Sequence, residues 1–298
     1  MGLSSRDEGC RSQAKRVLAV AASPRSGSDL LCQALSMAGA GQPDEYFNWV
    51  VVREQHLRRG IPRCSLRGEL SKAWRLLRRH RDWRTCYRFT RKSFIAYVLT
   101  VIPETVTRNG ILGIKVHWDQ YESALLKRGL DISIWNVPVT WVLLSRSDHL
   151  RQAISLVRAR QSNRWVVEDA SWRSNLGRRA VREFASGVEH YDDTAITLAM
   201  QQVRNQEQEW QRYFAEVGVT PVRLTYEELL DDYESAVRRV LDRVGVTAAA
   251  IHPPLTERQA DSTTEEWVTR YTASMQRVNR ARSGNVRGEL GPESQQSC

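Results

Sequence analysis

Six consecutive apolar residues, Val17-Leu18-Ala19-Val20-Ala21-Ala22, end abruptly in Ser23-Pro24-Arg25-Ser26-Gly27-Ser28-Asp29. An unbroken apolar run of this length, closed by Pro and Gly, is a strand buried on both faces. The segment Leu30 to Ala38 then follows helical periodicity and ends near Gly39. The unit is strand, tight polar turn, helix. Three more short apolar runs follow, Ile111 to Val116, Val139 to Leu144 and Pro221 to Thr225. Helical patterns separate them. After Val139 to Leu144, with Ser147 or Asp148 as cap, the residues Leu150, Ala153, Ile154 and Val157 repeat at helix spacing. Ile196, Met200, Val203, Trp210 and Phe214 line one side of a long helix from about Thr194 to Val217, and Tyr233 to Val244 is a helix closed by Gly245. Buried strands alternating with helices predict an α/β fold, a central, mostly parallel sheet flanked by helices.

The chain has 298 residues, enough for one large domain. Residues 1–15 are polar and read as a flexible N-terminal tail, 16–272 as one domain, and 273–298, which lose apolar periodicity, as a flexible C-terminal tail. No apolar run approaches the ~20 residues that cross a bilayer. No signal peptide is visible. The five cysteines are widely spaced and form no CxxC pair, which argues against a disulfide framework or a zinc site and for a reducing compartment. The expectation is a cytoplasmic protein.

The net charge of +10 is local. Residues 53–92 hold 14 basic and 3 acidic side chains, so the remainder of the chain carries −1. Trp74, Trp83, Tyr87 and Phe89 lie inside this stretch. Such a segment is either a solvated helical face or a surface for an anion, a membrane, an acidic protein or nucleic acid.

Two features carry chemistry. Backbone N–H groups of a strand–turn–helix unit form an anion site at the helix N-terminus, and Arg25 adds a fixed charge. The alternative is an ordinary strand–helix turn. The GxxxxGK[ST] pattern is absent, which counts against Mg-ATP binding. The second feature is Arg146 at the carboxyl end of a strand, with Ser155 in the next helix; ligands of open α/β sheets gather at such strand ends.

Several motifs in order resemble one family. They are Ser23-Pro24-Arg25-Ser26-Gly27-Ser28, Gln42-Pro43-Asp44-Glu45-Tyr46-Phe47, Gly113-Ile114-Lys115-Val116-His117-Trp118, Arg151-Gln152-Ala153-Ile154-Ser155-Leu156, and Arg258-Gln259-Ala260-Asp261 with Glu266-Trp267-Val268. Val222 to Leu229 also resembles a strand–turn common across sulfotransferases. The chain resembles bacterial sulfotransferases that use 3′-phosphoadenosine 5′-phosphosulfate (PAPS), most of all the trehalose 2-sulfotransferase family, over about residues 17–271. The resemblance implies a P-loop-like sulfotransferase fold and in-line sulfuryl transfer to a hydroxyl, with adenosine 3′,5′-bisphosphate as product and no metal. It implies that Ser23, Arg25, Ser26, Gly27 and Ser28 bind the 5′-phosphosulfate, that Arg146 and Ser155 bind the 3′-phosphate, and that Arg258 closes over the donor. Arg25 would stabilise charge on the leaving phosphate. Glu45 matches the carboxylate assigned as base in the trehalose enzymes, and His117 resembles the base of cytosolic animal sulfotransferases. Either or both are expected to deprotonate the acceptor. Lys115 is placed to touch the sulfuryl group or to hold the site open. The family also implies a homodimer.

Three departures stand out. Asp29 replaces the usual Thr, so a carboxylate lies beside an anion site; it points away, or Ser26 and Ser28 compensate, or donor binding weakens. His117 stands where the trehalose enzymes look apolar. Gln42 stands where they carry an acid. With the basic 53–92 segment on the acceptor side, these point to a carbohydrate, glycolipid or other metabolite acceptor that is anionic or carrier-bound, and to no nucleic-acid partner. The competing readings are a catalytically impaired relative that binds anionic ligands or nucleic acid through the basic segment, and a phosphate-transfer enzyme of the wider P-loop fold.

Overall fold

The computed structural model describes residues 13–59, 91–165, 173, 176, 187–254 and 262–288. Four strands form one parallel sheet in the order β2-β1-β3-β4: β1 Arg16–Ala22, β2 Ile111–His117, β3 Val139–Ser145 and β4 Val222–Thr225. Strand β1 is central. Ala22 pairs with His117 on one side and with Leu144 on the other, so the carboxyl ends of three strands finish together. The chain leaves β1 for β2 on one side and reaches β3 on the other, which makes the carboxyl end of β1 a topological switch point.

Alternate residues of β1 feed opposite cores, as the two-residue period of a strand requires. Leu18, Val20 and Ala22 pack with α1 (Ser28–Met37) and, further along the chain, with Val237, Val240, Leu241 and Val244. Val17, Ala19 and Ala21 face Tyr46, Phe47, Phe94, Tyr97, Tyr121, Trp210 and Phe214. The second helix, α2, is Trp49–Arg58, and α3, Arg91–Ala96, runs on as a π turn over Tyr97–Val101. Helix α4 is Trp118–Ala124, α5 His149–Ser162 and α6 Asp193–Glu216. Helix α7 is Tyr226–Asp231, α8 Tyr233–Val244 and α9 Ser262–Gly288.

The expected strands and long helices are present. Leu150, Ala153, Ile154 and Val157 on α5 do face inward, against Ile196, Ala199 and Val203 of α6 and Trp267 and Tyr271 of α9. Asp148 is the residue that caps α5, accepting from Arg151 N at 2.9 Å. One expectation is corrected. The stretch after Thr272 is helical as far as Gly288 rather than a loose tail; Tyr271 and Met275 anchor this helix on α5 and α6, a tertiary contact that substitutes for a clear apolar period. Trp165 is 41% exposed, and its indole donates to its near neighbour Asn163. Among the described residues no helix is long and apolar enough to cross a membrane, and no group of three His, Cys, Asp or Glu is placed to hold a metal.

Candidate active site

The residues singled out from sequence gather at the carboxyl ends of the strands. The loop after β1 turns on two left-handed residues, Arg25 at φ +64° and Gly27 at φ +83°. A bulky residue in this region is strained, and strain of this kind collects at ligand sites. Glycine is required at 27 for a second reason. A Cβ there would lie 2.3 Å from Cδ2 of Tyr226. The Tyr226 ring in turn supports the guanidinium of Arg146, 4.5 Å from its centroid.

Arg25 and Arg146 meet here. Arg25 Nε donates to Ser155 Oγ at 2.9 Å, and its Nη1 to the Trp165 carbonyl at 2.8 Å. Arg146 Nη1 donates to the Arg25 carbonyl at 3.4 Å. Burial and the nearby Arg146 pull the Arg25 pKa down, though guanidinium stays charged. Ser23 Oγ accepts from Gln152 Nε2 at 2.8 Å, and the same amide donates to the Pro24 carbonyl at 2.8 Å. Glu207 of α6 accepts from Arg146 N and His149, while Glu227 accepts from the backbone of Ser147 and Asp148. The loops after β1, β3 and β4 are therefore one hydrogen-bonded assembly. The hydroxyl of Ser26 is buried inside it and makes no hydrogen bond among the described residues. A buried hydroxyl without a partner costs ~1–3 kcal/mol, a vacancy suited to an anionic oxygen.

On the β2 side lies a second cluster. The loop ahead of α2 runs along β2 as a strand would, with Lys115 N donating to the Asp44 carbonyl at 3.0 Å. Gly113 permits this approach: a Cβ there would meet backbone N of Pro43 at 2.6 Å. The approach brings Glu45 beside Lys115 and His117. Lys115 Nζ is 2.8 Å from Glu45 Oε1 and 2.7 Å from Asp29 Oδ1. Asn48 and Gln120 donate to Glu45 Oε2 at 3.1 and 2.8 Å. His117 Nε2 stands 3.4 Å from Glu45 Oε1, yet neither ring nitrogen makes a hydrogen bond among the described residues. Arg173 reaches in and bridges Asp29 and Asp44, at 2.9 Å each.

The electrostatics follow from burial and these partners. Burial resists ionisation of Glu45, but Lys115, His117 and the hydrogen bonds from Lys115 and Gln120 outweigh it and hold the carboxyl well below the usual range. Asp29 is lowered in the same way by Lys115 and Arg173. Burial pushes Asp44 up. Burial also lowers His117 despite the pull of Glu45, so the imidazole is neutral at pH 7. Lys115 is raised, because Asp29 and Glu45 outweigh its burial.

Of the sequence-predicted residues, Ser23, Arg25, Ser26, Gly27, Ser28, Arg146 and Ser155 are brought to the first assembly, and Glu45 and His117 to the second. Arg258 lies outside the described residues, as do residues 60–90 of the basic stretch. Asp29 points to two cations. Sequence reasoning passed over Gln152, Glu207, Tyr226, Asp44, Gln120 and Arg173. Gln152 and Asp44 sat inside quoted motifs; Arg173 carried no signal at all.

A family model, Stf0 sulphotransferase, matches residues 18–274. The chain belongs to the Stf0 sulphotransferase family. It is therefore an enzyme, a sulfotransferase. The trehalose 2-sulfotransferase of Mycobacterium tuberculosis is 30% identical over 283 residues, covering 90% of this chain and 98% of that protein. That of Mycolicibacterium smegmatis is 28% identical, covering 87% and 95%. Among solved structures, the sulfotransferase domain of the Synechococcus PCC 7002 olefin synthase covers 86% of this Stf0 chain and 84% of its own, at 17% identity and a TM-score of 0.43.

Proposed function

We propose that this Stf0 sulfotransferase moves a sulfuryl group from PAPS to a hydroxyl of a carbohydrate or glycolipid acceptor. The observation that carries the reading is the convergence at one switch point of a cationic, donor-rich assembly and an acid–base pair. Ser23, Ser26, Gly27 and Ser28 would hold the 5′-phosphosulfate, with Arg25 on the leaving phosphate. Arg146 and Ser155 would hold the 3′-phosphate. The 2.9 Å bond between Arg25 and Ser155 supports this assignment, because it joins the residues meant for the two ends of the donor. Sulfuryl transfer resembles phosphoryl transfer in that positioning and stabilisation of spread charge do most of the work.

His117 takes the acceptor proton, and Glu45 steadies the imidazolium that forms. The reason is hydrogen-bond capacity. Both oxygens of Glu45 are already engaged by Lys115, Asn48 and Gln120, which makes that carboxylate a weak base. Burial keeps His117 neutral, and its Nε2 stands 3.4 Å from Glu45 Oε1, close enough for that carboxylate to support the ring once it is protonated. The named relatives are trehalose enzymes. Gln42 and the basic 53–92 stretch favour an acceptor other than plain trehalose, anionic or presented on a carrier. The reading of the chain as an impaired binding protein loses the support it drew from Asp29, whose charge is met by Lys115 and Arg173.

Calorimetric titration with adenosine 3′,5′-bisphosphate beside ATP tests the donor site. The expected result is micromolar binding of the bisphosphate, much weaker binding of ATP, and loss of both with Arg146→Ala. No binding of the bisphosphate at moderate salt would overturn the assignment. For the base, kcat/KM should fall on an acid limb below the ordinary histidine pKa of ~6.5, and His117→Asn should remove the limb together with most turnover. Full turnover in His117→Asn would shift the role to Glu45.

A further inference from the structure

Two walls of the site are tied together by two buried cations. One wall is the start of α1, where Asp29 follows the loop Ser23–Ser28. The other is the loop Gly41–Glu45, which carries Asp44 and Glu45. Lys115 spans them through Asp29 Oδ1 and Glu45 Oε1, at 2.7 and 2.8 Å. Arg173 spans them a second time, through Asp29 Oδ1 and Asp44 Oδ1, at 2.9 Å each. Arg173 is 5% exposed and Lys115 3%. Both cations thus share one oxygen of Asp29, the residue that departs from the family pattern.

We propose that Arg173 is a positioning residue and that Asp29 is its anchor: the planar guanidinium fork clamps the donor-loop helix to the loop bearing Glu45, and so fixes the Glu45–His117 pair through Lys115. Where Lys115 meets both its carboxylates with a single nitrogen, the guanidinium gives each of its own a separate arm, Nη2 to Asp29 and Nη1 to Asp44. The inference rests on the proposed roles of Glu45 and His117.

The clamp has an electrical consequence at His117. The charged groups that face the ring are Glu45 from the loop before α2, Lys115 from its own strand, Asp119 from α4 and Asp29 from α1. Behind Lys115 stand Arg173 and Asp44. Asp29 diverts part of the hydrogen bonding of Lys115 away from Glu45. Arg173 in turn diverts part of the charge of Asp29. The effect of Asp29 on His117 must therefore depend on whether Arg173 is present.

The test follows the titration of His117 by NMR in ¹³C-histidine-labelled full-length protein, assigned with His117→Asn. Asp29→Asn should lower the His117 midpoint by about half a pH unit to one unit, because a neighbouring negative charge is lost. In an Arg173→Met background the same change should lower it further, since Asp29 is no longer shared. Equal shifts in the two backgrounds would overturn the clamp. Should Arg173→Met fail to fold, Arg173→Gln, neutral but polar, gives the same comparison. A second readout is calorimetry with adenosine 3′,5′-bisphosphate. A clamp predicts that Asp29→Asn weakens bisphosphate binding, because the donor-loop helix loses its anchor, whereas tightening of tenfold or more would show that Asp29 merely repels the donor and would overturn the proposal. Turnover that survives both His117→Asn and Glu45→Gln would sink the base assignment alone, because the titration needs no acceptor.

Discussion

Replacing Gly27 by alanine isolates the cost of closing the donor loop. Gly27 sits at φ +83° with Tyr226 Cδ2 2.3 Å and Cε2 2.9 Å from the place a Cβ would take. Two penalties add. An alanine in left-handed backbone costs ~1–2 kcal/mol. Carbon atoms prefer ~3.5–4.0 Å separation, so the ring must retreat by more than about 1 Å, and such overpacking costs ~1–3 kcal/mol. The sum is ~2–5 kcal/mol, a large share of the ~5–15 kcal/mol that holds a domain folded. Urea unfolding measures it as a lower midpoint at unchanged slope. Gly218 supplies the control: its φ is +66° and nothing lies within 4 Å of its would-be Cβ. Gly218→Ala carries the backbone penalty without the clash. Gly27→Ala should therefore cost at least ~1 kcal/mol more than Gly218→Ala, and Tyr226→Ala should recover part of the difference. Bisphosphate affinity should drop at the same time, because the displaced ring no longer supports Arg146. Equal costs for the two alanine variants would refute the argument that this glycine exists to seat Tyr226.

Ser155→Ala removes the hydroxyl that receives Arg25 Nε; bisphosphate affinity should fall roughly tenfold, the value of one charge-assisted hydrogen bond, with an unchanged thermal melt. Trp210 is fully buried, stacks on Phe214, has Trp118, Tyr121 and Trp141 edge-on or tilted at 5.1 to 5.6 Å, and donates to the Ala22 carbonyl at the end of β1. Trp210→Ala should cost ~3–5 kcal/mol by denaturant titration. Glu45 is ionised far more readily in the folded chain than in the unfolded one. Its contribution to stability is complete above the ordinary carboxylate pKa of ~4.3 and is lost as pH falls through the depressed folded value. Glu45→Gln should flatten that part of the stability–pH curve, and an unchanged acid slope would refute the assignment.

The turn after β1 was legible because its parts are local. A strand, its turn and the start of the next helix occupy thirteen successive residues from Val17 to Asp29, and the period of the side chains alone places the turn at a strand end. Arg146 and Ser155 were legible for the same reason, as the residue after a strand and a polar position on the following helix. The pairing of the strands was not, since no local signal says that Ala22 lies between His117 and Leu144. That pairing is what merges two ordinary strand ends into one site. The helix beyond Thr272 escaped notice because it continues a helix anchored by Trp267 and Tyr271, and past Thr272 it adds Met275 to that contact.

Asp29 shows how far the meaning of a charge depends on partners that the sequence does not place. Next to an anion-binding turn, a carboxylate is a repulsive charge, and Coulomb's law makes it worse as the surroundings become apolar. The same law reverses the conclusion once the partners are known. One oxygen of Asp29 holds Lys115, 86 positions away, and Arg173, 144 positions away. With Glu45 on Lys115 and Asp44 on Arg173, the two cations and three carboxyl groups form one buried, fixed network of which Asp29 is the shared member. A threonine in place of Asp29 would leave Lys115 with Glu45, and Arg173 with Asp44, as two separate ion pairs. Buried ions with only one partner are costly to desolvate and free to shift. The carboxylate at position 29 is thus better understood as the bond between two ion pairs than as a defect in the donor loop.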